Sequence, residues 1–136
     1  MYEYHGWITL VSSLGEDEES DSREIIKKVE EILSPLEKER NGLAHMKALN
    51  GEQFVILAGH FNRASQIKPL LFRVFKDIAG MAPGSYGLLY VRDDEDMENQ
   101  DNEFQVLRMA RGSVNKCKDQ YLSPCIPVIE DPFILE

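Results

Sequence analysis

Acidic side chains form two dense clusters in this sequence. One lies in residues 16–24 and the other in the run DDEDMENQDNE at residues 93–103, and together they hold thirteen of the 24 acidic residues. Each cluster lies between apolar runs, which indicates an exposed loop, and a solvated connection is the simplest interpretation of such a loop. If the fold brings the two clusters together, they form a concentrated negative patch that attracts a basic protein surface.

A second group of residues with chemical potential is GHFNR, at residues 59–63. It lies where a predicted strand meets a predicted helix, a place where small domains often carry polar functional groups. His60, Asn62 and Arg63 could bind an anion or polarise a carbonyl group, which leaves a hydrolase or a transferase as an alternative. We favour the interpretation in which Asn62 makes a local turn hydrogen bond and His60 ends the strand.

The histidines and cysteines predict neither a metal site nor a cofactor. His5, His45 and His60 include no pair at the spacing HxH or HxxxH, and the chain has no CxxC motif. Cys117 and Cys125 are expected to be reduced thiols, because a chain of this size needs no disulfide to fold and nothing in the sequence suggests export.

Length and charge limit the function further. The 136 residues predict one domain, 1–136, with its own core. A net charge of -9 repels nucleic acid and anionic membranes, so neither is an expected partner. The sequence contains neither a signal-like segment nor an apolar run of membrane-spanning length, so we expect a cytoplasmic protein. It leaves the oligomeric state open.

The first part of the chain predicts a strand, a helix and a hairpin. A β-branched and aromatic run predicts a strand over residues 4–12, and the form of a capping box at Asp21 and Glu24 predicts the start of a helix. The apolar residues of this helix recur at helical spacing: Ile25, Val29, Ile32 and Leu36. Pro35 ends or kinks the helix. Asn50-Gly51 then predicts a two-residue hairpin turn.

The rest of the chain completes an α+β prediction. Ser65 is expected to cap a second helix with Pro69 in its first turn, and SYGLLYVR and EFQVLRMAR predict two more strands. The order is ferredoxin-like, β-α-β-β-α-β, plus an additional C-terminal strand. We therefore predict an antiparallel sheet with two helices on one face. The Pro-containing tail, 119–136, is expected to pack on the body or on another chain.

One enzyme interpretation of this order, an acylphosphatase-like activity, fails on charge. Such an enzyme cradles a phosphate in the loop after its first strand. Here that loop contains GEDEESD, whose carboxylates repel a phosphate group.

The start of the chain resembles a known family. MYEYHGWITL, the acidic loop and helix REIIKKVEEIL that follow it, and the later run FVILAGHFNR resemble the Imm7 family of immunity proteins from bacterial polymorphic toxin systems. The resemblance implies a non-enzymatic cytoplasmic protein that binds and neutralises a cognate toxin domain, and such toxins are often nucleases. It carries over no catalytic residues. Within YHGW we expect Trp7 to fill the core and Gly6 to permit close packing.

If the protein is an immunity protein, charge complementarity predicts the residues that contact the toxin. A nuclease has a basic cleft, which an acidic domain can occupy by mimicking phosphates. The predicted contacts are the acidic residues Glu16, Asp17, Glu18 and Glu19 of the first cluster and Asp93, Asp94, Glu95 and Asp96 of the second. The alternative from another class is a small-molecule-binding regulatory domain of ferredoxin-like fold.

Overall fold

The structure, a computed structural model, describes residues 1–12, 22–96 and 102–133. Its elements are β1 (Tyr2–Leu10), α1 (Ser22–Glu37), β2 (Gly42–Leu49), β3 (Glu52–Phe61), α2 (Ile67–Met81), β4 (Tyr86–Asp93), β5 (Gln105–Ala110), β6 (Ser113–Lys118) and α3 (Cys125–Val128). None of the helices in these ranges is both long and apolar enough to cross a lipid bilayer.

The strands form one antiparallel sheet with the order β2-β3-β1-β4-β5-β6. Helix α1 packs against α2 and β2, while α2 also contacts β5 and β6, so the two long helices lie together on one side of the sheet. The predicted α+β class is confirmed. The first strand in the chain lies near the middle of the sheet, between β3 and β4, and its side chains are therefore flanked on both sides.

Both tight hairpins turn through residues with positive φ. The predicted Asn50-Gly51 turn is confirmed, with φ of 52° and 81°, and it joins β2 to β3. The sequence prediction missed β6, which pairs with β5 through a turn at Arg111-Gly112 with φ of 52° and 76°. Arginine rarely adopts positive φ, so Arg-Gly does not carry the hairpin signal that Asn-Gly does.

The core lies between the sheet and the two long helices. Even-numbered residues of β1 point into it, and Tyr4, which is fully buried, lies near its centre. The Tyr4 ring stacks on Phe61 with 6.1 Å between centroids, and it lies against Gly59 on the neighbouring strand. A side chain at residue 59 would occupy the space of this ring. Because Gly59 has none, the Tyr4 ring can pack directly against the backbone of β3.

The prediction that Trp7 fills the core is wrong. Trp7 is 39% exposed and lies on the side of the sheet away from the helices, edge-on to Tyr86 with 6.0 Å between ring centroids. Successive side chains on a strand point to opposite faces, so the burial of Tyr4 and Ile8 places Trp7 on the outer face. Gly6 does permit close packing, because a Cβ there would lie 2.8 Å from the carbonyl oxygen of Leu88.

The helix ends differ in detail from the prediction. Gln66, not Ser65, precedes the first residue of α2, and its side chain makes no capping hydrogen bond. Pro69 lies in the first turn, as predicted, where its missing N–H costs little. Pro35 lies inside α1, which ends two residues later at Glu37. The predicted capping residue Asp21 lies outside the described residues.

The contact between β1 and β4 gives a first testable prediction. A Cβ at Gly87 would overlap the carbonyl oxygen of Trp7 and lie 2.9 Å from the Cα of Ile8, and a backbone cannot move aside as a side chain can. Gly87→Ala is expected to lower the free energy of unfolding by about 2–3 kcal/mol, the upper range for overpacking, measured by urea denaturation.

The matched control is Gly80→Ala. Gly80 lies in α2, and a Cβ there would have no heavy atom within 4 Å, so alanine is expected to raise the free energy of unfolding by about 0.5–1 kcal/mol. Equal effects of the two substitutions would contradict the close approach of β1 and β4.

Tyr4 gives a second prediction, because its hydroxyl is buried and has no hydrogen-bond partner among the described residues. Burial, with a smaller contribution from the charge of Glu39, raises the pKa of Tyr4 to about 12. The folded protein thus holds the proton more tightly than the unfolded chain, whose tyrosines have the ordinary pKa of 10.0. Ionisation of Tyr4 therefore leaves stability unchanged below pH 10 and lowers it as the pH rises from there through the folded pKa.

Tyr4→Phe is therefore expected to raise the free energy of unfolding at pH 7 by about 1 kcal/mol, by removing an unpaired hydroxyl. It should also weaken the loss of stability above pH 10, measured as melting temperature against pH. Tyr121→Phe is the control, because the Tyr121 side chain is 91% exposed. A destabilised Tyr4→Phe variant would show that the hydroxyl has a partner.

Candidate partner-binding surface

The second acidic cluster begins where β4 ends. The Asp93 carboxylate accepts a hydrogen bond of 3.1 Å from the backbone N–H of Glu95, and the Asp93 carbonyl accepts one of 3.3 Å from the N–H of Asp96. A short acidic side chain that binds the backbone two residues on is typical of a tight turn. The turn leaves Asp94 and Glu95 exposed, while Asp93 and Asp96 are partly covered. We call residues 93–96 the acidic turn.

Other groups reduce the charge of the acidic turn only in part. The α-amino group of Met1 lies 2.7 Å from an Asp94 oxygen and 3.7 Å from a Glu95 oxygen, and its hydrogen bond with Asp94 raises the pKa of this amine. Gln105 donates a hydrogen bond of 3.4 Å to Asp96. These contacts are at the surface, where an ion pair contributes little to stability. The acidic turn therefore keeps a net negative charge that can attract a basic group of a partner.

The two acidic clusters join the sheet at opposite ends of β1. Asp93 pairs with Tyr2 at the beginning of β1, whereas the chain enters the first cluster after Leu10 at its end. A nine-residue strand is about 27 Å long. The predicted contacts Glu16, Asp17, Glu18 and Glu19 lie outside the described residues, so the structure brings together only the four acids of the acidic turn.

The residues of GHFNR do not surround one cavity. His60, in β3, lines an open cleft of about 460 Å³ beside Glu3, His5 and Arg40. Asn62 and Arg63 follow the strand in an exposed connection and do not line this cleft. The carbonyl of Asn41 accepts a hydrogen bond of 3.0 Å from the backbone N–H of His60. Only one of the three side chains is thus available to act in the cleft.

The three histidines are all exposed, and His5 and His60 line the same open cleft. His5 lies 2.8 Å from the carboxylate of Glu3, and His45 lies on the edge strand β2. Within the described parts of the chain, no three His, Cys, Asp or Glu side chains are grouped closely enough to hold a metal ion. Cys117 and Cys125 are both free thiols.

Residues 119–133, which we call the C-terminal segment, pack beside the acidic turn and cover part of the sheet. Asn102 binds this segment at three points: its carbonyl accepts from the N–H of Cys125 at 2.8 Å, its side-chain oxygen accepts from the N–H of Ile126 at 2.8 Å, and its amide donates to the carbonyl of Ile126 at 3.0 Å. Glu130 forms an ion pair with Arg92, which is only 8% exposed. These contacts explain why Cys125 is fully buried.

On the side of the sheet opposite α1 and α2, the C-terminal segment covers the part near Arg92 and Val106, which are 8% and 7% exposed, and described residues leave most of the rest uncovered. We call this side of the sheet the open face. It consists of odd-numbered residues of β1, β2 and β6 and even-numbered residues of β3, β4 and β5, as the strand register requires. Its most exposed large apolar side chains are those of Trp7, Leu43, Leu49, Ile56 and Tyr86, between 39% and 54% exposed.

Sequence reasoning missed the open face as a candidate surface. The run from Trp7 to Val11 is apolar or β-branched at every position, so it shows no clear alternation that would separate a buried from an exposed side. The available signal was in β2, where polar His45 and Lys47 indicate solvent on the side that also carries Leu43 and Leu49. This signal identifies the exposed residues of β1 only when the pairing of β2 with β3 and of β3 with β1 is known.

Comparison with known proteins adds one match. The chain matches the family model Imm7, described as Immunity protein 7, over residues 1–131. This agrees with the resemblance carried by YHGW and covers nearly all of the described structure. Neither a curated protein nor a solved structure matches the chain.

The buried Cys125 provides a test of the segment that flanks the acidic turn. Burial raises the pKa of its thiol, partly opposed by Arg92, and both burial and the raised pKa slow its reaction with alkylating reagents. Asn102→Ala removes both side-chain hydrogen bonds to Ile126 and is expected to speed alkylation of Cys125 about tenfold, followed by peptide-resolved mass spectrometry.

The matched control is Asn115→Ala, at an exposed position of β6. It should leave the alkylation rate of Cys125 unchanged, and the rate at the partly exposed Cys117 should be similar in all three proteins. An unchanged rate in Asn102→Ala would show that these hydrogen bonds do not hold the segment in place.

Proposed function

The chain belongs to the Immunity protein 7 family, and from this premise we propose that it binds one cognate bacterial toxin domain and neutralises it in the cytoplasm of the producing cell. The family match over residues 1–131 is the observation that carries the proposal. An inhibitor of this kind acts by occupying a surface of its target. Its function then depends on shape, charge and apolar contact, with no catalytic group required.

The acidic turn is the charged part of this proposed interface. Asp94 and Glu95 are exposed at a loop where side chains can reach a partner without rearrangement of the sheet. With a net charge of -9 on the whole chain, these groups favour encounter with a basic toxin surface, such as the nucleic-acid-binding cleft of a nuclease. Charge of this kind acts mainly on the association rate.

Glu16, Asp17, Glu18 and Glu19 are a second proposed contact, to be tested separately from the acidic turn. The points at which the two clusters join the sheet are separated by the length of β1, about 27 Å. The two clusters are therefore tested with separate charge-reversal variants, one for each cluster.

The proposal is tested with the C-terminal domain of whatever large secreted protein is encoded immediately upstream. Binding should be tight, and the association rate constant should fall as salt rises. The double variant Asp94→Lys/Glu95→Lys is expected to lower that rate constant about tenfold at low salt and to weaken its salt dependence, measured by surface plasmon resonance.

A matched control carries the same change of charge elsewhere. Glu30 and Glu31 are exposed on α1, so Glu30→Lys/Glu31→Lys alters the net charge equally but away from the acidic turn. It should reduce the association rate constant less. Equal effects of the two double variants would remove the acidic turn from the interface, whereas absence of binding by the unmodified protein would contradict the proposed function itself.

A further inference from the structure

The open face carries a continuous strip of apolar side chains across its centre. Ile56 of β3 and Leu88 of β4 lie directly opposite Trp7 of β1 on its two sides, and Tyr86 packs edge-on against the Trp7 ring. Trp7, Ile56 and Tyr86 are 39%, 43% and 50% exposed. We call these four residues the apolar strip. A contiguous exposed apolar patch is typical of a surface that binds another molecule.

The apolar strip leads into a cleft beside the C-terminal segment. The cleft has a volume of about 360 Å³, and Leu88, Tyr90, Val106 and Cys117 lie along it, together with Tyr121 of that segment. The polar residues Lys118, Asp119 and Gln120 complete its lining, and Tyr121 is 91% exposed. The cleft is large enough for one protruding apolar side chain, and it is the kind of pocket that an anchor residue of a protein partner fills.

From these observations we infer that the cognate toxin domain docks on the open face, with a non-acidic apolar patch of its surface seated on the apolar strip. This inference rests on the proposed function, because the toxin is the partner. Tryptophan and tyrosine are among the residue types most enriched in side chains that dominate binding energy, and both belong to the strip.

The charge of the open face and of the whole chain favours a toxin domain over a second copy of this chain as the partner. The open face carries Glu3 and Glu52 against Lys47 and Arg108, while Arg92 is paired with Glu130, so it is close to neutral in a chain of net charge -9. A second copy of the chain would bring a further charge of -9 to the contact, which opposes self-association. A basic or neutral toxin domain meets no such repulsion.

The size of the open face also suits a protein partner. Six strands at about 4.8 Å spacing and a β1 of about 27 Å set an upper limit of about 650 Å² for this face, because β5 and β6 have only six residues each and the C-terminal segment covers part of it. A stable interface buries about 800 Å² on each partner. The apolar strip and its cleft therefore form the apolar centre of the inferred toxin interface. The acidic turn, at one end of the sheet, lies in its charged rim, and an apolar centre with a polar rim is usual for protein interfaces.

The test measures binding of the same upstream-encoded C-terminal domain to variants of the apolar strip. Trp7→Ala is expected to raise Kd about thirty-fold, mainly through faster dissociation and with the salt dependence unchanged, as removal of a dominant side chain does. Ile56→Lys places a charge at the centre of the strip and is expected to raise Kd about tenfold or more. Thermal unfolding of each variant reports whether the fold is intact.

Met81→Ala is the matched control. Met81 is a 37% exposed apolar residue at the end of α2, on the helix side of the sheet, and its substitution should change Kd less than about threefold. If Trp7→Ala fails to fold, Ile56→Lys and Tyr86→Ala decide the question, since both positions are at least 43% exposed.

The outcomes separate the inference from the function on which it rests. If the unmodified protein binds and the folded variants of the apolar strip bind equally well, the inference is overturned and the immunity function stands. If the unmodified protein does not bind, both are overturned. If sedimentation shows a dimer that Trp7→Ala converts to a monomer, with toxin affinity unchanged, the open face is a self-association surface and the inference is overturned.

Discussion

The packing of Tyr4 against β3 determines how the rest of this sheet is oriented. Its ring is fully buried between the sheet and the helices, stacks on Phe61 and occupies the space that a side chain at Gly59 would need. Because side chains alternate along a strand, this one burial assigns every other residue of β1 to a face. β1 lies between β3 and β4, so its register also orients both neighbours.

The same register separates two kinds of surface. Tyr2 at the start of β1 pairs with Asp93, which places the acidic turn at one end of the sheet, while Trp7, near the middle of β1, places the apolar strip at the centre of the open face. Long-range charge acts before contact and raises the rate of encounter, whereas burial of apolar groups acts after contact and slows dissociation. A small protein that carries both kinds of surface can bind a partner fast and release it slowly.

The C-terminal segment connects the two surfaces. Asn102 and Arg92 hold it against the sheet, and it forms one wall of the cleft at the end of the apolar strip through Tyr121. Arg92 directly precedes the acidic turn, and its pairing with Glu130 removes a positive charge that would otherwise offset that turn. The segment thus affects both the shape of the open face and the charge at its edge, although its residues are far from β1 in the sequence.

The sequence by itself determined the α+β class, the order of the first elements, the Asn50-Gly51 hairpin, the positions of the acidic clusters along the chain and the family resemblance. Each of these depends on spacing or residue type within one segment. The tertiary structure alone decided that Trp7 is exposed and that the acidic clusters join the sheet at opposite ends of β1. It also decided that a turn at Arg111-Gly112 leads into a sixth strand. A strand with no clear alternation of apolar and polar residues, such as the end of β1, can turn either side toward a core. Only pairing with strands distant in sequence selects the side that is buried.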